Sequence, residues 1–281
     1  MNRVFRILLV MSCLVFVLQA NAQFDDPKTI EVGPHAGLSY YIGDINPAKH
    51  FAQSDLEFGG VARLNWDSRW SFRMDYTHAT VKASDEVVKW RPERGLNFKS
   101  KIHDLSFVTE FNFLEYYTGN PKRNVSPYIF GGVSVFYYTA YALAGDSLID
   151  LGDYKTEALP ANPKWYEKAF GKTSPVGVSI PFGVGVKFSL SQHMAATAEW
   201  RMQKTFTDYL DDVATVYPAQ HEHAVAQVNG VRYDLTDPTG NYSEGQQRGN
   251  SSFKDWFCEA RVSLTWKFNL PDRRGCNLSK F

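Results

Sequence analysis

The stretch "WSFRMDYTHATVK" at 70–82 decides the fold. Trp70, Phe72, Met74 and Tyr76 recur at every second position, with Ser71, Arg73, Asp75 and Thr77 in the gaps. A period of two marks a β-strand with two unlike faces. Here the large apolar side chains share one face, while an arginine and an aspartate stand together on the other. Which face is inside separates a soluble sheet from one that crosses a membrane.

The alternation recurs in seven further segments: 30–44, 56–67, 103–115, 127–141, 174–190, 193–204 and 255–269. In the first, Val32, Ala36, Leu38, Tyr40 and Ile42 oppose Glu31, His35 and Ser39. In 174–190, Val176, Val178, Ile180, Phe182, Val184, Val186, Phe188 and Leu190 oppose a face of glycine, serine and Lys187. The segment 127–141 is apolar on both faces, and its orientation stays open.

The connections alternate in length. About a dozen residues join the first two strands, and "SR" (68–69) joins the next pair. Then come "ASDEVVKWRPERGLNF" (83–98), "YYTGNPKRNVS" (116–126), a long segment to Thr173, "SQ" (191–192) and a loop of roughly 205–254. Long outer loops and short periplasmic turns characterise outer-membrane barrels. The expectation is an all-β, eight-stranded antiparallel transmembrane outer-membrane β-barrel with long extracellular loops and short periplasmic turns. Both termini then lie in the periplasm.

In such a barrel the apolar face meets lipid and the polar face lines the lumen. Glu57, Arg63, Arg73, Asp75, Asp104, Glu110, Lys187, Glu199, Arg201, Glu259 and Arg261 are therefore expected inside. Eight strands leave a bore just wide enough for side chains to fill, so opposite charges there should pair and plug it. The glycines of 177–185 suit a bend or bulky neighbours that need room. Tyr40, Trp66, Trp70, Tyr76, Tyr137, Tyr138, Trp200, Trp256 and Trp266 suit interfacial girdles. A soluble lipocalin-like barrel or sandwich would reverse the faces, and its interior would be overfilled by these aromatics.

The N-terminus points to export. Arg3 and Arg6 precede the apolar run 7–18 and a small-residue site at Ala20 and Ala22, the pattern of a cleaved signal peptide. The chain then divides into a signal peptide (1–22), a short periplasmic segment (23–29), the barrel (30–269) and a periplasmic tail (270–281). With 30 basic and 30 acidic residues overall, the charge balance gives no reason to expect a nucleic-acid partner. Cys258 and Cys276 are the cysteines left after the signal, and whether they pair is open.

Chemistry is sparse. His35 and Ser39 share a face, and with a nearby carboxylate they could be imagined as an acyl-transfer set. His221 and His223 in "HEH" lack further ligands at metal spacing. Asp208, Asp211 and Asp212 in "KTFTDYLDDVATVYP" (204–218) read best as a short ordered turn packed over the barrel mouth. No catalytic residue, cofactor, metal or small-molecule substrate is expected.

"GLSYYIGDINP" (37–47), "KSKIHDLSFVTEFNFLEY" (99–116), "SPYIFGGVSVFYY" (126–138) and "KTFTDYLDDVATVYP" resemble the PorG-like outer-membrane barrels of the Bacteroidota type IX secretion system. The resemblance runs from about 30 to 268. It implies a non-enzymatic outer-membrane part of that machine, supporting gliding in some species. Its partners would be a periplasmic ring lipoprotein, that lipoprotein's ring partner and outer-membrane lipid. Contacts to the ring would come from periplasm-facing segments: 23–29, 68–69, 116–126, 191–192 and 270–281. Lys122, Arg123, Arg273 and Arg274 are the candidates. Two other classes stay open: a small outer-membrane enzyme acting on lipid through His35 and Ser39, and a narrow pore or surface adhesin.

Overall fold

The computed structural model describes residues 28–158 and 174–270. Eight long antiparallel strands close on themselves: β1 (Thr29–Ile42), β2 (Asp55–Asn65), β3 (Trp70–Ser84), β4 (Asn97–Asn112), β5 (Val125–Ala144), β7 (Val176–Ser189), β8 (Met194–Thr205) and β11 (Trp256–Asn269). Neighbours in sequence pair in turn, and β1 closes the ring against β11 from Thr29↔Asn269 to Ile42↔Trp256. Short strands decorate one end: β6 (Ser147–Asp150) extends β5, and β9 (Val225–Val228) with β10 (Val231–Asp234) forms a separate hairpin. A single helical turn, α1 (Asp85–Val88), sits in the β3–β4 loop. No helix of the described residues is long and apolar enough to cross a membrane; the crossing elements are strands.

The faces of 70–77 sort as a membrane barrel requires. Trp70, Phe72, Met74 and Tyr76 are exposed, whereas Ser71, Arg73, Asp75 and Thr77 are buried. Around the ring the exposed apolar band continues through Leu105 and Phe107, Ile129 and Val133, Val184 and Phe188, and Val262 and Leu264. Water would penalise so large a continuous apolar surface, and lipid removes the penalty. Closure matters for the same reason, because hydrocarbon satisfies no open strand edge. This is an inside-out barrel, the fold of transmembrane outer-membrane proteins.

The inversion does not hold to the top of the strands. Beyond Thr77, the buried residues of β3 become Ala79, Val81 and Ala83, and those of upper β4 include Phe98 and Ile102. They join Tyr41, Phe136, Tyr138, Leu210, Val213 and Phe257 in one apolar cluster. The outward positions there are Thr80, Lys82, Lys99, Lys101 and His103, and Lys82 Nζ pairs with Asp55 at 3.0 Å. The β3–β4 wall therefore has two tiers. Below, the wall is apolar outside and charged inside; above, it is polar outside and apolar inside, as for a water-soluble protein.

β5, ambiguous by pattern, places Tyr128, Phe130 and Phe136 inside and Ile129, Val133 and Val135 outside. Room for the three rings comes from the glycines opposite them in β7. The register sets Tyr128 against Gly185, Phe130 against Gly183 and Phe136 against Gly177. A Cβ at these glycines would lie 2.6, 2.7 and 2.3 Å from the respective ring atoms.

Two girdle assignments need correction. Tyr138 points inward, since its neighbour Tyr137 takes the outward position and strand faces alternate. Tyr40 has outward parity but is fully buried, because the β1–β2 loop folds His50 and Phe51 over its ring. Trp66, Trp70 and Trp266 near the turn end, and Tyr76, Tyr137 and Trp200 higher up, are exposed.

Candidate functional site: a charge-filled lumen under a folded cap

The lower lumen is built from charged positions, which the period of two directs inward, on every long strand except β5. Arg63 of β2 donates to Glu31 of β1 and Glu110 of β4, both at 2.9 Å. Lys187 of β7 reaches Glu110 at 2.6 Å. Arg73 of β3 lies 2.7 Å from both Glu110 and Glu199 of β8, and 3.0 Å from Asp75. Arg261 of β11 pairs with Glu199 at 2.6 Å and Asp75 at 3.3 Å. Higher up, Arg201 of β8 lies 3.3 Å from Asp75 and 3.6 Å from both Asp104 and Glu259. Glu57 faces His35 at 3.4 Å.

All eleven lumen candidates are buried, and ion pairs link ten of them into one lattice across the bore; Glu57 stands beside His35 instead. Buried charges are tolerable only when opposite charges and hydrogen bonds replace water. Two further residues belong to the lattice. Glu31 holds Arg63 and accepts from Asn65 at 3.0 Å, and Tyr128 donates to Glu199 at 2.6 Å. Glu31 was readable from its place on the polar face of β1. Tyr128 carried no such signal, because both faces of its strand are apolar.

Both ends of the bore are closed. At the turn end, Thr118 of the 113–124 connection reaches in to Glu31, and Lys267 Nζ donates to the Thr118 carbonyl. At the other end the 206–254 connection folds back over the mouth, burying Leu210, Val213, Ala214 and Tyr217. A second apolar cluster seats the β9–β10 hairpin through Ala224, Ala226 and Leu235 on Ala140, Ala142 and Ala144 of β5. Two buried arginines cross-link this cap. Arg94 donates to Asp85 at 2.6 Å and to the carbonyls of Arg248 and Asp44 at 2.9 and 3.1 Å. Arg248 donates to Glu157 at 2.9 Å and to the Asp212 carbonyl at 2.5 Å.

The residues singled out for chemistry are placed as follows. His35 and Ser39 both face the interior and serve separate partners: His35 lies beside Glu57, and Ser39 Oγ donates to the Thr80 carbonyl at 2.7 Å. His223 Nδ1 pairs with Asp234 at 2.7 Å across the base of the hairpin. Among the described residues, no three His, Cys, Asp or Glu side chains come together as a metal site. Cys258 is buried and free of any disulfide among the described residues. On the turn end, Lys122 is exposed and Arg123 lies 4.0 Å from Glu115. The expected signal peptide (1–22), Arg273, Arg274 and Cys276 lie outside the described residues.

A family model described as a domain of unknown function, DUF6089, matches residues 4–161, more than half of the chain. The chain belongs to the DUF6089 family. A comparison of the DUF6089 chain with curated proteins returns no match. Solved structures similar to it include Neisserial surface protein A at 10% identity and a TM-score of 0.43, covering 85% of this chain and 97% of that one. OprG of Pseudomonas aeruginosa has 12% identity and a TM-score of 0.40, covering 87% and 97%. Ail of Yersinia pestis, in complex with the heparin analogue sucrose octasulfate, has 9% identity and a TM-score of 0.39, covering 86% and 99%.

Proposed function

We propose that the protein is a non-conducting, integral outer-membrane component of the type IX secretion machinery, acting through its two ends rather than through its bore. The observation that carries the non-conducting part is the lattice of Arg63, Arg73, Lys187, Arg201 and Arg261 with their carboxylates, which occupies the lumen between two closed ends. Such a barrel offers partners its periplasmic turns and its folded cap. The resemblance to PorG-like barrels names the machine. A periplasmic ring lipoprotein and its ring partner would dock on the turn end, where Lys122 and Arg123 stand.

A surface adhesin is the second reading, favoured by the size and order of the cap. A lipid-directed enzyme built on His35 and Ser39 has less support, since both are committed inside the barrel, away from the lipid-facing wall.

Crosslinking in intact cells, mild solubilisation and capture of the tagged protein test the proposal. Recovery of a periplasmic lipoprotein ring, reduced by Lys122→Glu with Arg123→Glu, is the expected result. A barrel that comes out alone, together with normal protein export in a deletion strain, contradicts it.

A further inference from the structure

The cap is tied to the barrel at one point through a phenol placed between two carboxylates. Tyr41, fully buried at the top of β1, has its Oη 2.5 Å from Asp211 Oδ2 and 2.7 Å from Asp255 Oδ1. Asp211 belongs to the cap, and Asp255 is the hinge residue that leads from the cap into β11. The far oxygen of each carboxylate is also engaged in the cap's backbone. Asp211 Oδ1 accepts from the Val213 N–H at 2.9 Å, and Asp255 Oδ2 accepts from the Leu210 N–H at 3.0 Å.

A phenol has one hydrogen to donate. It can satisfy one of the two short contacts; the other needs a proton on a carboxylate. With both aspartates ionised, two negative oxygens would face the same phenol oxygen, and one contact would be lone pair against lone pair.

The surroundings relieve this only slightly, through the charge of Lys254 next to Asp255. Phe98 packs edge-on to the Tyr41 ring at 4.7 Å, and Leu210 and Phe257 complete an apolar surround. Of the neighbouring cations, Arg94 is held by Asp85, Arg248 by Glu157, and Lys254 reaches Asp208 at 3.5 Å. Asp44 and Asp212 lie in the adjoining loops, and Asp208, raised to about 8, holds its own proton near neutral pH. Asp44 accepts from the Asn250 N–H and Asp212 from Thr156. Among the described residues, no cation pairs with Asp211 or Asp255.

We propose that Asp211, Tyr41 and Asp255 form a proton-held latch that keeps the cap seated on the barrel and releases it as pH rises. Burial and the surrounding carboxylates push the same way: Asp255 is raised to about 7, and Asp211 is raised well above the ordinary aspartate range. An aspartate in a released cap titrates near 3.9. The seated cap therefore holds a proton that the released cap gives up. By linkage the seated state is firmest below about pH 4 and weakens as pH climbs through about 7.

Asp208 in the cap is itself raised to about 8 by burial and Asp255, so the parent for the test carries Asp208→Asn. Hydrogen exchange on that full chain in lipid nanodiscs, corrected for intrinsic rates, reads the latch at the Leu210 and Val213 amides. The expected result is an opening constant that rises by up to about tenfold per pH unit between about pH 4 and 7 and then flattens. In that parent, Asp211→Asn supplies the missing hydrogen from its amide and should remove most of the slope; Asp255→Asn should do the same, leaving the smaller share of Asp44. Amides of mid-barrel β4 should show no slope in any form of the protein. A flat profile in the Asp208→Asn parent, or a slope undiminished in either folded variant, overturns the latch. Should neither variant fold, the presence or absence of the slope in the Asp208→Asn parent decides.

Discussion

Arg73 and Glu199 meet across the lumen as a two-pronged pair, Nη1 donating to Oε2 at 2.7 Å and Nη2 to Oε1 at 3.1 Å, although 126 residues separate them in the chain. The fork joins β3 to β8, strands on opposite arcs of the ring. Arg73 also holds Asp75 and Glu110, and its guanidinium lies 4.9 Å from the Phe130 ring centre. A planar, permanently charged group with five donors suits this position better than lysine would.

Removing that hub should be costly. Arg73→Met leaves Glu199, Asp75 and Glu110 with fewer compensating charges, and breaking one side of a buried pair typically costs about 3–5 kcal/mol. Urea unfolding in detergent, followed by the heat-modifiable gel shift, should show a loss of that order. The double variant Arg73→Met with Glu199→Gln should recover part of it.

The two-tier wall predicts where a charge is tolerated. Met74→Arg places a guanidinium in the apolar band and should cost about 2–4 kcal/mol of folding stability in lipid. Thr80→Arg, on the same outward face one tier higher, should cost close to nothing, because Lys82 and Lys101 already stand at that level. Equal costs at the two positions would remove the boundary between the tiers.

The glycines of β7 make room for rings rather than for backbone turns. At Gly177 an added Cβ would sit 2.3 Å from Phe136 Cζ. Gly177→Ala should therefore destabilise by about 1–3 kcal/mol through overpacking. Phe136→Leu in the same chain should return part of that loss, since adjacent sites couple. A strictly additive double variant would show that the ring is not what the glycine accommodates.

The barrel was legible because Trp70 to Thr77 alternate so cleanly, and because the large apolar faces of eight such strands would overfill the interior of a soluble barrel. The second tier was not. Above Thr77 the inward side chains switch from charged to apolar at Ala79 and Val81, and the alternation of small residues with Thr80 and Lys82 reads equally well either way. β5 stayed open because Tyr128, Phe130 and Phe136 are apolar on the inner face too, and the reason lies in a different strand, at Gly185, Gly183 and Gly177. Tyr138 was misplaced by treating two consecutive tyrosines as one girdle. Tyr40 was misplaced because its cover comes from a loop. The turn over the mouth at 204–218 was readable as such. Its attachment through Arg248, Arg94 and Tyr41 depends on contacts between distant loops that no local pattern encodes.

A closed, charge-locked bore is the central claim, and single-channel recording of the purified protein in a planar bilayer tests it most directly. The account predicts no sustained conductance steps for the wild type at neutral pH. Steps should appear only when the lattice is opened, as in Arg73→Ala combined with Arg201→Ala. A steady ohmic conductance from the wild-type barrel would contradict the account and make it a pore.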